Sequence, residues 1–212
     1  MLPALTAVLI LLFCDISFAQ KGGNNPELDK KVKAFLSDSR YSWRDMNVPV
    51  SDGQLLYDII VENGYKHAVE IGTSTGHSGV WIAWALSKTG GKLITLEIDE
   101  QRHREALANF KEAGLSEYVD ARLCDAHEMV KQLGKPIDFV FSDADKYWYT
   151  NYFRELAPKM EVGGCFTAHN ISRHRKQGGI AEFVDYIEAQ PNFKTSYNNE
   201  GGGVSISYKI SE

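Results

Sequence analysis

The stretch Val69-Glu70-Ile71-Gly72-Thr73-Ser74-Thr75-Gly76-His77-Ser78 constrains the fold more than any other part of this chain. The run from His67 to Ile71 is short and apolar enough to be a buried strand. After it, a glycine-containing turn opens an amphipathic helix through Val80, Ile82, Ala83 and Leu86. Glycines at such a turn let backbone approach a ligand closely, and the helix start beyond them offers unpaired N–H groups. A second apolar strand, Leu93-Ile94-Thr95-Leu96-Glu97, ends in an acid 25 residues after Gly72. A carboxylate at that place can accept both hydroxyls of a ribose. The outline is that of a nucleotide-cofactor site. Gly72-xxx-Gly76 is not the G-x-G-x-x-G fingerprint, which a cofactor without a pyrophosphate does not need.

Helical and strand patterns alternate through the rest of the chain. Pro26 suits the first turn of a helix with Leu28, Val32, Phe35 and Leu36 on one face. Ser51-x-x-Gln54 reads as a capping box for a second helix, stopped by Asn63-Gly64. Strands are expected over residues 67–71, 92–97, 118–123, 137–142, 164–168, 192–197 and 203–209. Helices are expected over 77–88, 100–113, 126–133, 147–159 and 179–189. Strands separated by helices predict a mostly parallel seven-stranded sheet with helices on both faces and an antiparallel C-terminal strand. Ligands bind such sheets beyond the C-terminal strand ends, where Glu70, Glu97, Asp125, Asp143 and Asn170 all fall.

At 212 residues the chain holds one well-cored domain, expected over residues 21–212. The net charge of −5 excludes a general nucleic-acid-binding surface. Residues 1–20 read as a secretory signal peptide, with an apolar core from Leu5 to Phe13 and small residues at Ser17 and Ala19. The protein is therefore expected to be exported, with no membrane contact after cleavage; retention of the segment would make it an anchor. Bulky Phe13 argues against lipidation of Cys14. Cys124 and Cys165 lie on strands that are not neighbours in the expected order, predicting two free buried thiols. His77, His103 and His127 read as surface residues without a role. Arg173-His174-Arg175-Lys176 reads as a solvated loop or a site for an anionic group of the substrate.

Glu70-Ile71-Gly72-Thr73-Ser74-Thr75-Gly76 resembles motif I of class I S-adenosylmethionine-dependent methyltransferases. Met46-Asn47-Val48, Ser142-Asp143-Ala144-Asp145-Lys146 and Ala168-His169-Asn170 resemble stretches of the metal-dependent catechol and caffeoyl-CoA O-methyltransferases. The order and spacing match over roughly residues 40–210. The resemblance implies a Rossmann-like fold and methyl transfer from S-adenosyl-L-methionine to a hydroxyl of a small aromatic acceptor. It assigns the cofactor to Met46, Val48, Glu70, Gly72, Thr73, Gly76, Ser78, Glu97, Asp125, Ala126 and Asp143. Glu97 would take the ribose, Asp125-Ala126 the adenine, and Met46 and Val48 the methionine end.

The same resemblance implies a divalent cation (Mg, Mn or another) on Asp143, position 169 and Asn170, with Asp143 and Lys146 serving the chemistry. His169 stands where the family has Asp. That removes a charge and would favour softer ions than Mg. Alternatives stay open for several of these residues. His169 can be a local hydrogen-bonding group, Lys146 a solvated residue at a helix start, and Asp143 a cofactor contact. Asp145 reads as a cap, and Tyr147-Trp148-Tyr149 as a pocket wall or as ordinary packing. A metal-independent methyltransferase using His169 or Lys146 as base, or a non-catalytic relict binding protein, remain as rivals, and homodimer formation is left open.

Overall fold

The computed structural model describes residues 23–39, 47–171 and 178–212. The expected signal peptide, Met46 and the basic run 173–176 lie outside the described residues. The chain folds in the order α1 (Pro26–Ser39), α2 (Val50–Asn63), β1 (His67–Ile71), α3 (His77–Thr89), β2 (Lys92–Glu97) and α4 (Glu100–Ala113). It continues through β3 (Val119–Leu123), α5 (Ala126–Gln132), β4 (Ile137–Ser142), α6 (Tyr149–Leu156) and β5 (Met160–His169). α7 (Gly179–Glu188), β6 (Phe193–Asn198) and β7 (Val204–Lys209) complete it.

One seven-stranded sheet runs β3-β2-β1-β4-β5-β7-β6. β1 pairs in parallel with both β2 and β4, and β5 in parallel with β4, while β7 is antiparallel to β5 and β6. Strand order reverses beside β1, so the loops after β1 and β4 part there and leave a crevice.

The two faces of the sheet follow from the period of two along each strand. On one side Ala68, Phe139 and Phe141 meet Leu56, Ile60, Ile82 and Leu86 of α2 and α3. On the other Ile71, Val140 and Phe166 meet Tyr149, Phe153, Leu156 and Phe183 of α6 and α7. α1 and α4 extend the first layer, Val32, Phe35 and Phe110 clustering with Trp81 and Trp84 of α3. Both faces are covered, so β1 and β4 carry near-continuous apolar runs. α1 starts under a cap, the Asn25 side chain accepting from Leu28 N–H at 3.1 Å.

Three expectations are corrected. No capping box forms at Ser51-x-x-Gln54. Pro49, at φ −54° and ψ 152°, is the cap residue of α2, Ser51 Oγ approaches Asp52 at 3.5 Å, and Gln54 donates to Asp58 at 2.8 Å. The pyrrolidine ring already holds the extended entry that a cap residue needs, so α2 begins at Val50 and Ser51 falls inside it. The fifth strand starts at Met160 rather than 164, with Gly163 at φ +91° inside it where its register to β4 shifts. The helix expected over 147–159 is a turn through Trp148, then α6, then a 3₁₀ turn at Ala157–Lys159.

Candidate active site

A cavity of about 640 Å³ opens at the C-terminal ends of the parallel strands, lined from the loops after β1, β2, β3, β4 and β5. Val48, Gly72, Thr73, Ser78, Glu97, Asp125, Ala126, Asp143, Lys146, His169 and Asn170 all line it. Glu70 and Gly76 do not. Glu70 lies beneath the loop and Gly76, at φ +93°, caps α3.

The loop after β1 is built by its backbone. Gly72 and Thr73 donate N–H to Leu96 O at 3.0 and 3.1 Å, tying the loop to β2. Gly72 has φ +96°, and a Cβ there would stand 2.7 Å from Asp143 O, so only glycine lets the first and fourth strand ends come this close. Beneath it, Glu70 is fully buried. Ser78 Oγ donates to Glu70 Oε1 at 2.6 Å and Thr95 Oγ1 to Oε2 at 2.5 Å. Burial pushes the Glu70 carboxyl up to about 7, against the two hydroxyl donors that favour its charged form. The Ser78 hydroxyl is thus spent on Glu70 in this arrangement.

Glu97 ends β2 with both oxygens held. Ser74 N–H donates to Oε2 at 2.7 Å, and Ile98 and Asp99 N–H donate to Oε1 at 2.9 Å each. About four lone-pair positions exist on a carboxylate, so one remains. Beyond β3, Asp125 caps α5 through His127 N–H at 2.9 Å, and the His127 ring stacks on Trp148 with centroids 4.1 Å apart.

At the other end of the cavity a chain of charged groups crosses the sheet edge. Lys146 Nζ donates to Asp143 Oδ1 at 2.6 Å and to Tyr149 Oη at 2.9 Å, and Tyr149 Oη donates onward to His169 O at 3.2 Å. His169 Nδ1 lies 3.0 Å from Asp143 Oδ2, and its Nε2 lies 2.8 Å from Asp52 Oδ2. Gly202 N–H also donates to Asp52 Oδ2, at 2.8 Å. Asp52 is 1% exposed and His169 4%. Burial alone would lower the imidazole pKa, but the hydrogen bonds and charges of Asp143 and Asp52 outweigh it, leaving the pKa raised. Asn170 follows in the left-handed region at φ +58°, which asparagine tolerates, and turns the chain out of β5.

These contacts bear on the cation that the resemblance implies. Both ring nitrogens of His169 face carboxylates, and both oxygens of Asp143 face cationic donors, so the first two donors are already engaged. Among the described residues no group of three or more His, Cys, Asp or Glu side chains is arranged to hold a metal ion. As arranged, the set does not fit a divalent cation.

Three contributors were missed or misread from sequence. Asp52 carries no local signal, because its partners are 117 and 150 residues away. His77, expected on the surface, is buried against the cavity. Burial lowers its pKa to about 4 despite a hydrogen bond with Val48 backbone, so the ring is neutral near pH 7. His127 and His103 are half-buried, and His127 lines the cavity. The aromatic triplet divides. Tyr147 is 75% exposed, Trp148 packs on His127, and Tyr149 is buried as a partner of Lys146. Tyr152, one turn further on, lines the cavity instead. Asp145 caps the turn before α6, accepting from Tyr147 N–H at 3.0 Å.

Known proteins are similar to this chain in sequence and in fold. A catechol O-methyltransferase of Niastella koreensis is 38% identical over 115 residues, 52% of each chain. Caffeoyl-CoA O-methyltransferase 1 of Eucalyptus globulus is 31% identical over 150 residues, 68% of this chain and 60% of that one. This chain thus spans between half and two thirds of the length of these two relatives. The solved structure of an O-methyltransferase from Bacillus cereus, bound to S-adenosylhomocysteine, superposes with a TM-score of 0.72 at 24% identity, covering 88% of this chain and 91% of that one. At that identity it supports the fold alone. Residues 22–186 match the O-methyltransferase family, and the chain belongs to it.

Proposed function

We propose that the protein transfers the methyl group of S-adenosyl-L-methionine to a hydroxyl oxygen of a small aromatic acceptor. One observation carries the reading. A single cavity joins the glycine loop and Glu97, a cofactor-type end, to the Asp143–Lys146 pair, an acid–base end. The relatives named for catechol and caffeoyl-CoA support the acceptor class.

Glu97, locked by three backbone donors, offers its remaining lone pair to the ribose, and Asp125 and Ala126 border the adenine. Asp143, at the other end of the same cavity, would then face the methyl end of the cofactor. An acceptor hydroxyl beside Lys146 loses its proton to a carboxylate oxygen of Asp143, since the Lys146 ammonium has no lone pair to take it. The acceptor oxygen attacks the methyl carbon as the carbon–sulfur bond breaks, and that electron pair stays on sulfur. A positively charged cofactor becomes a neutral thioether, so holding the reactants in line and facing the acceptor oxygen with the Lys146 ammonium supply most of the acceleration. Neutral His77 adds no second positive charge near the sulfonium.

Calorimetry with S-adenosylmethionine, S-adenosylhomocysteine and NAD tests the reading. Both sulfur compounds should bind and NAD should not. In Glu97→Ala the affinity for S-adenosylhomocysteine should fall by about 1–3 kcal/mol, the scale of losing hydrogen bonds to a charged group. Binding of NAD alone would replace methyl transfer with hydride transfer, and unchanged affinity in the variant would remove Glu97 from the ribose.

A further inference from the structure

We propose that Asp52, His169, Asp143 and Lys146 form a self-neutralising hydrogen-bonded chain in the place of the family's divalent cation, so that methyl transfer here is metal-independent. The inference rests on the methyl-transfer reading above and adds a positioning role for Asp52.

Geometry fixes the chain. An imidazole with one N–H would point the lone pair of its other nitrogen at a carboxylate, because Asp143 and Asp52 approach opposite ring nitrogens at 3.0 and 2.8 Å. A doubly protonated ring donates to both. Two carboxylates then face an imidazolium and an ammonium, and the cluster neutralises itself as a bound dication would have done. Lys146 completes it at 2.6 Å from Asp143.

Replacing that chain with a metal is costly. A cation on His169 would have to break one of its carboxylate bonds. If the Nε2 bond were broken, Asp52 would keep no cationic partner, only Gly202 N–H and the long 3.5 Å contact from Ser51 Oγ, and buried charges so poorly paired are strongly disfavoured. Room is also lacking on that side, since a Cβ at Gly202 would stand 2.4 Å from His169 Nε2. The backbone after β6 therefore seals the far nitrogen from a hydrated ion. Of the three implied ligands, Asn170 alone has no side-chain hydrogen bond among the described residues, and one amide oxygen does not hold a hard divalent cation.

The protein keeps the acceptor-facing part of the chain, Lys146 on Asp143, and anchors it from behind. Asp52 holds His169, His169 holds Asp143, and Asp143 holds Lys146. Asp52 is thus a positioning residue acting two contacts away from the acceptor.

The test uses the full chain treated with EDTA and freed of chelator. Titration with Mn²⁺, followed by the paramagnetic resonance of the free ion, should show no saturable uptake, and transfer to catechol should proceed equally with and without EDTA. Stoichiometric Mn²⁺ uptake that Asp143→Asn abolishes, or activity lost in EDTA and restored by Mn²⁺, would overturn the proposal. His169→Asp should acquire Mn²⁺ binding, because it places three carboxylates together. If that variant is unfolded alone, Mn²⁺ should restore its folded circular-dichroism spectrum. Asp52→Asn should shift the ring-nitrogen resonances of His169 and lower kcat by about tenfold or more with KM for the cofactor retained, the scale for losing a carboxylate that orients a site histidine. Unmoved resonances would take Asp52 out of the chain. Calorimetry with S-adenosylhomocysteine on the same sample keeps the two readings apart, since loss of that binding refutes methyl transfer while the Mn²⁺ result bears on the metal alone.

Discussion

At the residue scale, Glu70 shows how a buried group that does not touch the cavity ties stability to pH. Its carboxyl is pushed up to about 7 from an ordinary value of 4.5, chiefly by burial. For an acid with a raised folded value, the native state binds the extra proton between those two values. Stability is therefore fully present below pH 4.5, falls as pH rises from there through about 7, and levels off above. The cost is on the order of 3 kcal/mol by pH 8, from a shift of about two and a half units. Glu70→Gln removes the titration while its amide oxygen can still accept from Ser78. Thermal melts at pH 5 and pH 8 should show the variant losing less stability across that range than wild type. Equal losses would mean that Glu70 is not the titrating group. The Glu70 acid was legible from sequence as part of the loop after a buried strand; its protonation was not, because it depends on complete burial by the fold outweighing the Ser78 and Thr95 hydroxyls.

At the element scale, local signals served well wherever an element ends on its own chemistry. Gly64, Gly90 and Gly114 stop three helices in the left-handed conformation, where sequence placed the stops. The same signals failed where an element's ends are set by a neighbour. β5 is extended to Met160 by pairing with β4, which no residue of its own announces. The start of α2 at Val50 matters more, because it turns Asp52 inward toward β5. The glycine run 201–203 between β6 and β7 carries no site signal of its own in the sequence. In the fold, the run passes directly over the Asp52–His169 pair. Gly202→Ala would put its Cβ 2.4 Å from His169 Nε2 and 3.2 Å from Asp52 Oδ2, so the ring or the loop must move. A destabilisation of about 1–3 kcal/mol, the usual range for overpacking, should appear as a lower denaturant midpoint with unchanged slope. A variant as stable as wild type would show that the loop yields without strain.

For the whole molecule, strand order decides what sequence spacing leaves open. Seven strands, their direction and their helical partners were legible because strands buried on both faces must be apolar throughout and the helices between them must be amphipathic. The site was legible down to the acids at the strand ends, since the sheet gathers those ends into one crevice. It was not legible where α2 crosses to meet β5, a contact made by tertiary packing alone. The same topology governs the cysteines. Cys124 follows β3 at one edge of the sheet, and Cys165 sits in β5, with β2, β1 and β4 between them. No disulfide can span that separation without moving the backbone. Cys165 is fully buried and Cys124 half-buried, which corrects the expectation of two buried thiols. Burial raises the pKa of both thiols and so lowers the thiolate fraction that reacts. In native protein an aromatic disulfide reagent should therefore label Cys124 slowly and Cys165 only on unfolding. Denatured, non-reduced monomer should release both thiols to the same reagent. Their absence there would mean that the two cysteines are bridged and that the strand order is wrong.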